Sequence, residues 1–379
     1  MPKANNYFDD AAKLQRIMSR TGSFPLTVVH DLLVRFAPKG AVVCDPFCGK
    51  GTTLLAARAL HLDAYGIDVA PEAVICSAAK MTTIEPAALI EYIHHLPVRG
   101  GSPSEARPDV RLFFHPDTLR QLLAIRRRLL DDYQSASPDT RNCATFTLAT
   151  LLGILHGHAS HSISISSAHA FAMAPCYVRA YARDHHLKAP RRVVKDCLIK
   201  KALQCLPPRP LPRVRWAVKR GDAGDCLDLL PDLVGQVDII ITSPPYLDAQ
   251  TYAKDNWLRH WLLGYDNALL RKAYLQTGSV DRYETTMSLV FRNLRESLKR
   301  DGLLICIAGD VRVGGPDREM YHTGRRLARL AAAGGFVIEQ REVHRVPSLR
   351  RYYHALSATN GHIARALIER VFVARKSSP

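Results

Sequence analysis

The chain predicts an α/β fold: a sheet with helices on both faces, a C-terminal antiparallel hairpin, and a mainly helical insertion within it. Three observations predict this. Apolar runs at Ala41–Phe47, Ala64–Ile67, Val237–Thr242 and Leu303–Ala308 have the length and branched content of buried strands. Stretches with helical spacing follow several of them. Between residues 82 and 214 the strand rhythm disappears and the pattern is helical and strongly basic. The chain therefore divides into residues 1–81, the first half of the sheet domain, 82–214, the insertion, and 215–379, the second half.

Taken in order, Pro25–Phe36 puts Leu26, Val29, Leu32, Leu33 and Phe36 on one helical face, with Pro25 at the permitted first turn. Ala41–Phe47 reads as a strand, Gly49-Lys50-Gly51 as a turn and Thr52–Leu60 as a helix. Glycines at such a junction let a ligand approach the backbone, and a helix N-terminus favours negative groups. Lys50 stands between the glycines and does not follow the second, so a phosphate-loop spacing is not met. The run Ala64–Ile67 ends in Asp68, where an acid is placed to accept hydrogen bonds from ribose hydroxyls. Pro71–Lys80 is a further helix.

Within the insertion, Arg120 and Arg126–Arg128 form one basic cluster, and Arg179, Arg183, Lys188, Arg191, Arg192, Lys195, Lys200 and Lys201 form another. Between them, His156–Ser167 is polar and small, suited to a loop against a nucleic-acid backbone. Its histidines lack an acidic or cysteine partner at ligand spacing, so no metal is expected. The proline-rich Pro207–Pro212 is a stiff linker back to the sheet.

Trp216–Lys219 is a short strand ending at Gly221-Asp222, Cys226–Leu230 a helix, and Val237–Thr242 a buried strand that stops at two prolines. In the stiff corner Thr242-Ser243-Pro244-Pro245-Tyr246, the Ser243 side chain and the Pro244 carbonyl can accept hydrogen bonds, and Tyr246 can offer a flat face to a planar ring. Tyr252 is a further candidate wall. Met287, Val290, Phe291, Leu294 and Leu298 form an amphipathic stripe, with Gly302 suited to stopping that helix. Glu319–Ala333 predicts another helix, and Phe336–Val343 with Ile368–Ala374 predicts the final hairpin. Its long loop contains Arg350, Arg351 and Tyr352, suited to phosphate contacts and stacking or to a solvated loop.

The 52 Lys and Arg against 35 Asp and Glu leave a formal charge of +17, so a polyanionic partner is expected. Nine cysteines are scattered without a CxxC pair, which indicates neither a disulfide framework nor a zinc cluster. No apolar run approaches a membrane span and the N-terminus lacks a signal-peptide core, so a cytoplasmic enzyme is expected.

The Thr242–Tyr246 corner resembles motif IV of the amino-methylating DNA methyltransferases, and Asp45-Pro46-Phe47-Cys48-Gly49-Lys50-Gly51-Thr52-Thr53 resembles their motif I nearly residue for residue. Asp222 resembles the motif III acid, and the segment around Phe24 loosely resembles motif X. The resemblance implies a Rossmann-like methyltransferase sheet that binds S-adenosyl-L-methionine through Phe24, Asp45, Pro46, Phe47, Gly49, Gly51, Thr52, Thr53, Asp68, Asp222 and Ser243. It implies catalysis by Ser243, Pro244, Pro245 and Tyr246 on a base flipped out of double-stranded DNA. Nucleic-acid contacts then fall to Tyr252, Arg191, Arg192, Arg350, Arg351 and Tyr352. Serine at the first loop position resembles the cytosine-N4 members. Adenine N6, an RNA amino group, and a non-catalytic DNA-binding role are the alternatives. A cognate restriction enzyme is the kind of partner the resemblance allows. The insertion, a candidate target-recognition region, precedes the motif III acid, which departs from the family's usual order. A ring-carbon mechanism through Pro175-Cys176 is disfavoured because the Glu-Asn-Val that accompanies that pair is absent.

Overall fold

The computed structural model describes residues 7–20, 22–157, 159–166, 174–245, 247, 252–275, 279–313, 319–345 and 368–377. The chain folds as two compact units, one of Thr21–Ala70, Val214–Thr251 and Arg271–Pro379, the other of Met1–Arg20, Pro71–Arg213 and Tyr252–Leu270.

The first unit is built on a seven-stranded sheet. Its strands are β1 (Val42–Asp45), β2 (Asp63–Asp68), β3 (Trp216–Arg220), β4 (Val237–Thr242), β5 (Leu298–Gly309), β8 (Phe336–Arg345) and β9 (Ile368–Lys376), in the order β3-β2-β1-β4-β5-β9-β8. Strands β1 to β5 run parallel, and β9 is antiparallel to both of its neighbours. On alternate positions Cys44, Ile240, Leu304 and Cys306 join a buried layer with Tyr283, Met287, Val290, Phe291 and Leu294 of helix Val280–Ser297. The intervening Val43, Ile239, Ile241 and Ile305 are buried as well. Both faces are thus covered, which is why these strands read as continuous apolar runs and not as alternating ones. Helix Leu26–Phe36 packs on Thr52–Ala59, which in turn packs on β1 and β2. This is the Rossmann-like α/β sheet with its antiparallel C-terminal strand.

Two boundaries differ from the sequence expectation. β5 begins at Leu298, directly where the helix ends, so Gly302 lies within a strand and does not stop a helix. Leu298 pairs with Val237, and the Asp301 carbonyl accepts from Arg375 Nη1 at 2.9 Å, which draws this segment into the sheet. The helix expected over Glu319–Ala333 starts only at Thr323. Glu319–Tyr321 instead forms β7, paired antiparallel with β6 (Val311–Val313) in a separate two-stranded sheet. Tyr321 is buried edge-on to Tyr283, and its hydroxyl donates to Glu284 Oε1 at 2.8 Å, which holds the segment extended against helix Val280–Ser297.

The second unit is helical. Several of its helical segments open on proline at the first turn, among them those at Pro86, Pro108, Pro116, Pro138 and Pro175, where the missing N–H costs no intrahelical bond. Helix Pro138–Ile154 is central and packs on Pro71–Met81, Pro86–His95, Pro116–Tyr133 and Val194–Cys205. At Gly153 an added Cβ would sit 1.8 Å from the Ile17 carbonyl oxygen, so only glycine permits that approach. Residues 1–20, 71–81 and 252–270, which the sequence division placed with the sheet, belong to this unit. Polar contacts tie them in: Lys80 Nζ donates to Gln15 Oε1 at 3.0 Å, Arg209 Nε to Asp10 Oδ2 at 2.8 Å, and the fully buried Glu72 and His260 meet at 3.1 Å.

The segment at 156–167, expected as a loop against a nucleic-acid backbone, is largely buried in its described residues. His156, His161, Ser162 and Ser164 are buried, beside Ile163 and Ile165. The cause is backbone pairing, Ile163 N to Ile154 O at 3.0 Å and Ile165 N to Phe113 O at 2.7 Å, which pulls the isoleucines inward and the serines with them. Among the described residues no cluster of His, Cys, Asp or Glu could hold a metal, and no helix is long and apolar enough to cross a membrane.

Candidate active site

In an open α/β sheet, ligands bind beyond the carboxyl ends of the strands where the strand order reverses. Here β1 and β4 are adjacent, with β2 outside one and β5 outside the other, so that crevice lies beyond Asp45 and Thr242. The glycine turn leaves β1 there. Gly49 and Gly51 adopt φ of 53° and 75°, a region glycine enters at no steric cost. The turn is pinned from the neighbouring strand: Cys48 N donates to the Ile67 carbonyl at 2.9 Å and Gly49 N to Asp68 Oδ2 at 2.8 Å. Gly66, in β2, is the close-packing partner, since a Cβ on it would lie 3.0 Å from Cys48 Cβ and Sγ.

Asp45 links this turn to the strand that precedes the proline corner. Its Oδ2 accepts from Thr53 Oγ1 at 2.6 Å, and its Oδ1 accepts from Thr242 Oγ1 at 2.8 Å and from Phe47 N at 3.1 Å. The carboxyl is buried, and burial raises its pKa from 3.8 to about 6, against the lowering effect of the two threonine hydroxyls and the Phe47 N–H. Near neutral pH it is therefore ionised and accepts three hydrogen bonds.

The other acids stand along the same edge of the sheet. Asp68 ends β2, and its Oδ1 also accepts from Ala70 N at 2.9 Å. Asp68 and Arg220 are register partners, and Gly221 N donates to the Asp68 carbonyl at 3.1 Å, which brings Asp222 next to it. Asp222 is exposed and uses Oδ1 to accept from Gly224 N at 2.7 Å. At the first turn of helix Thr52–Ala59, Thr52 Oγ1 is buried with no hydrogen-bond partner among the described residues. Beyond β4, Pro244 is buried, and Ser243 and Pro245 are half-buried. Phe24 is half-buried two residues ahead of helix Leu26–Phe36.

Residues 5–80 of the chain match the model of the N6/N4 methyltransferase family, described as DNA methylase. This segment is similar to the amino-group DNA methyltransferases. A Type II methyltransferase, M.BsoBI of Geobacillus stearothermophilus, is 29% identical over 117 residues, covering 26% of this chain. The match spans 23% of that relative's length. The rRNA methyltransferase aviRa of Streptomyces viridochromogenes aligns over 96% of this chain and 92% of its own, at 12% identity and a TM-score of 0.34. A SAM-dependent methyltransferase of Methanosarcina mazei aligns over 92% of this chain and 98% of its own, at 9% identity and a TM-score of 0.37.

The structure thus gathers Asp45, Pro46, Phe47, Gly49, Gly51, Thr52, Thr53, Asp68, Asp222 and Ser243 along one end of one sheet. Tyr246, Arg350, Arg351 and Tyr352 lie outside the described residues. Tyr252, Arg191 and Arg192 belong to the helical unit. There Tyr252 lies under the Arg20 guanidinium at 5.2 Å, and the exposed Arg191 pairs with Asp117 at 3.0 Å. Arg192 is held by its backbone, its N–H donating to Thr118 Oγ1 at 2.8 Å. Thr242 was not among the expected ligands, although it stands in the motif. The signal that could have found it is a hydroxyl at the end of a strand predicted to lie beside another strand ending in a buried acid.

Proposed function

We propose that the chain is an S-adenosyl-L-methionine-dependent DNA methyltransferase acting on the exocyclic amino group of a flipped base, with cytosine N4 as the target atom. The observation that carries this reading is the Thr242–Asp45 hydrogen bond, which ties the start of the Ser-Pro-Pro corner to the glycine turn. The residues present fit the cofactor: the unpartnered Thr52 Oγ1 at a helix N-terminus suits a carboxylate, and Asp68 and the exposed Asp222 are acceptors for hydroxyl and amino groups. When bound, the cofactor supplies a methyl carbon made electrophilic by positively charged sulfur.

The protein's own contribution is position and electrostatics. An exocyclic amino nitrogen is a poor nucleophile because its lone pair is delocalised into the ring. Ser243 Oγ and the Pro244 carbonyl oxygen accept its two hydrogens, which favours a pyramidal nitrogen with an available lone pair. Methyl transfer to that nitrogen, with the electron pair of the broken S–C bond left on sulfur, would make it cationic, and one of the two held protons would then pass to solvent. The double proline keeps both acceptors in place, since neither ring can relax into helix or sheet. Tyr246 supplies the stacking face for the flipped base. The serine at the first corner position favours cytosine. The likeness of part of the chain to a Type II methyltransferase supports a modification role paired with a restriction enzyme.

Transfer of labelled methyl groups to duplex DNA and to RNA, followed by chromatography of the nucleosides, tests this. We expect label in N4-methylcytosine from DNA and a strong loss with Ser243→Ala and with Tyr246→Ala. Label confined to RNA, or none in DNA when calorimetry shows the cofactor bound, would overturn it.

A further inference from the structure

We propose that a cleft within the helical unit seats one nucleotide of the DNA substrate other than the base to be methylated. The proposal rests on the function above only for the identity of the polymer. The cleft, about 420 Å³, is walled by Trp257, Trp261 and Tyr265 and edged by Arg107, Arg126 and Asn267. Trp257 and Trp261 stand one turn apart on helix Trp257–Leu263, so both indoles project from the same face. Phe113 packs edge-on to Trp257 at 5.3 Å and Phe114 lies 6.4 Å from Trp261, which fixes both rings. Tyr265, at the mouth, is 37% exposed.

The polar edge carries donors on Arg107, Arg126 and Asn267 beside the carboxylates of Asp109 and Asp266, the latter accepting from Ala268 N at 2.7 Å. Arg126 lies 5.9 Å over the Trp261 ring and donates from Nε to the Leu262 carbonyl at 2.5 Å; burial works against its charge, so an anion beside it is favoured. The Asn267 amide meets His260 Nδ1 at 2.6 Å through one of its polar atoms, which leaves the other for a base edge. Arg107 is exposed and paired with Asp109, at 3.1 Å through Nε and 2.6 Å through Nη2, a contact for which a phosphate can compete. Flat aromatic walls with cations and donors at the rim suit a base and its phosphate. A polymer is favoured over a free nucleotide because the chemistry continues past the cleft. Pro175 lines it and begins a helix on which Tyr177 and Tyr181 stack at 5.8 Å, with Arg179 and Arg183 exposed.

Two of the three tryptophans of the chain line this cleft, so tryptophan emission reports on it. The full chain is titrated with a short single-stranded oligodeoxynucleotide, an RNA of the same sequence, and inorganic polyphosphate. We expect saturable quenching by DNA, affinity about tenfold weaker with Tyr265→Ala and near wild type with Tyr265→Phe. Arg107→Ala should reduce the slope of log affinity against log salt by about one. Failure of either variant to show its effect overturns the proposal, as does polyphosphate quenching to the same depth or RNA binding more tightly than DNA. Intact, base-dependent quenching without methyl labelling would remove the proposed activity and leave the cleft. Labelled DNA with affinity unchanged in both variants would do the reverse.

Discussion

Asp45 is the residue on which the site turns. Its folded pKa of about 6 lies above the ordinary 3.8, so a proton on it favours the folded state. That contribution to stability is complete below pH 3.8 and is lost as pH rises through about 6. The proposed activity runs the other way, because a protonated carboxyl becomes a donor and cannot accept from Thr53, Thr242 and Phe47 together. Methyl transfer should therefore fall as pH drops through about 6, read as initial rate against pH. Thr242→Val removes a contact that holds the pKa down, so the fall should move to higher pH; a profile superimposable on wild type would show that Asp45 does not govern it. The acid itself was legible through the resemblance of Asp45–Thr53 to motif I. Its partner was not. Thr242 lies 197 positions away, and only strand order makes them neighbours.

At the scale of elements, the glycine turn depends on what lies under it. Cys48 is anchored to Ile67 through its N–H, so it cannot yield to a methyl group on Gly66. Gly66→Ala should cost about 1–3 kcal/mol of stability, measured as a shift in the denaturant midpoint, and should weaken cofactor binding by calorimetry. In the helical unit, Glu72 holds together helices distant in sequence. Burial works to raise its pKa, but the His260 hydrogen bond and the Arg20 charge bring it below the ordinary value. His260→Ala would leave that carboxylate buried without its main partner, at about 3–5 kcal/mol, visible as a lowered thermal midpoint. Neither residue stood out in the sequence, where a glutamate and a histidine on helices read as surface residues. Long elements were legible because many residues repeat one period, as along helix Val280–Ser297. The three-residue strand β7 was not, since Glu319–Tyr321 runs without a break into a helical pattern, and what makes it a strand is the distant Tyr283 and Glu284.

At the scale of the whole chain, the +17 charge is the property that supports the proposed DNA partner. Binding to duplex DNA should weaken steeply as salt rises, since each neutralised phosphate releases a counterion, and fluorescence anisotropy at two salt concentrations reads the slope. A flat response would remove DNA as the polyanion. The division into units was only partly readable. The return to the sheet near residue 214 is announced by prolines, whereas the recruitment of residues 1–20, 71–81 and 252–270 to the helical unit depends on buried contacts such as Lys80 with Gln15.

The placement of β9 between β5 and β8 has a consequence during synthesis. Until residues 368–376 have emerged from the ribosome, β5 and β8 are each left with an open flank of unpaired amides, the form most prone to pair with a foreign strand. The nascent chain therefore carries an unpaired β5 edge from the completion of that strand at Gly309 until Ile368–Lys376 arrives.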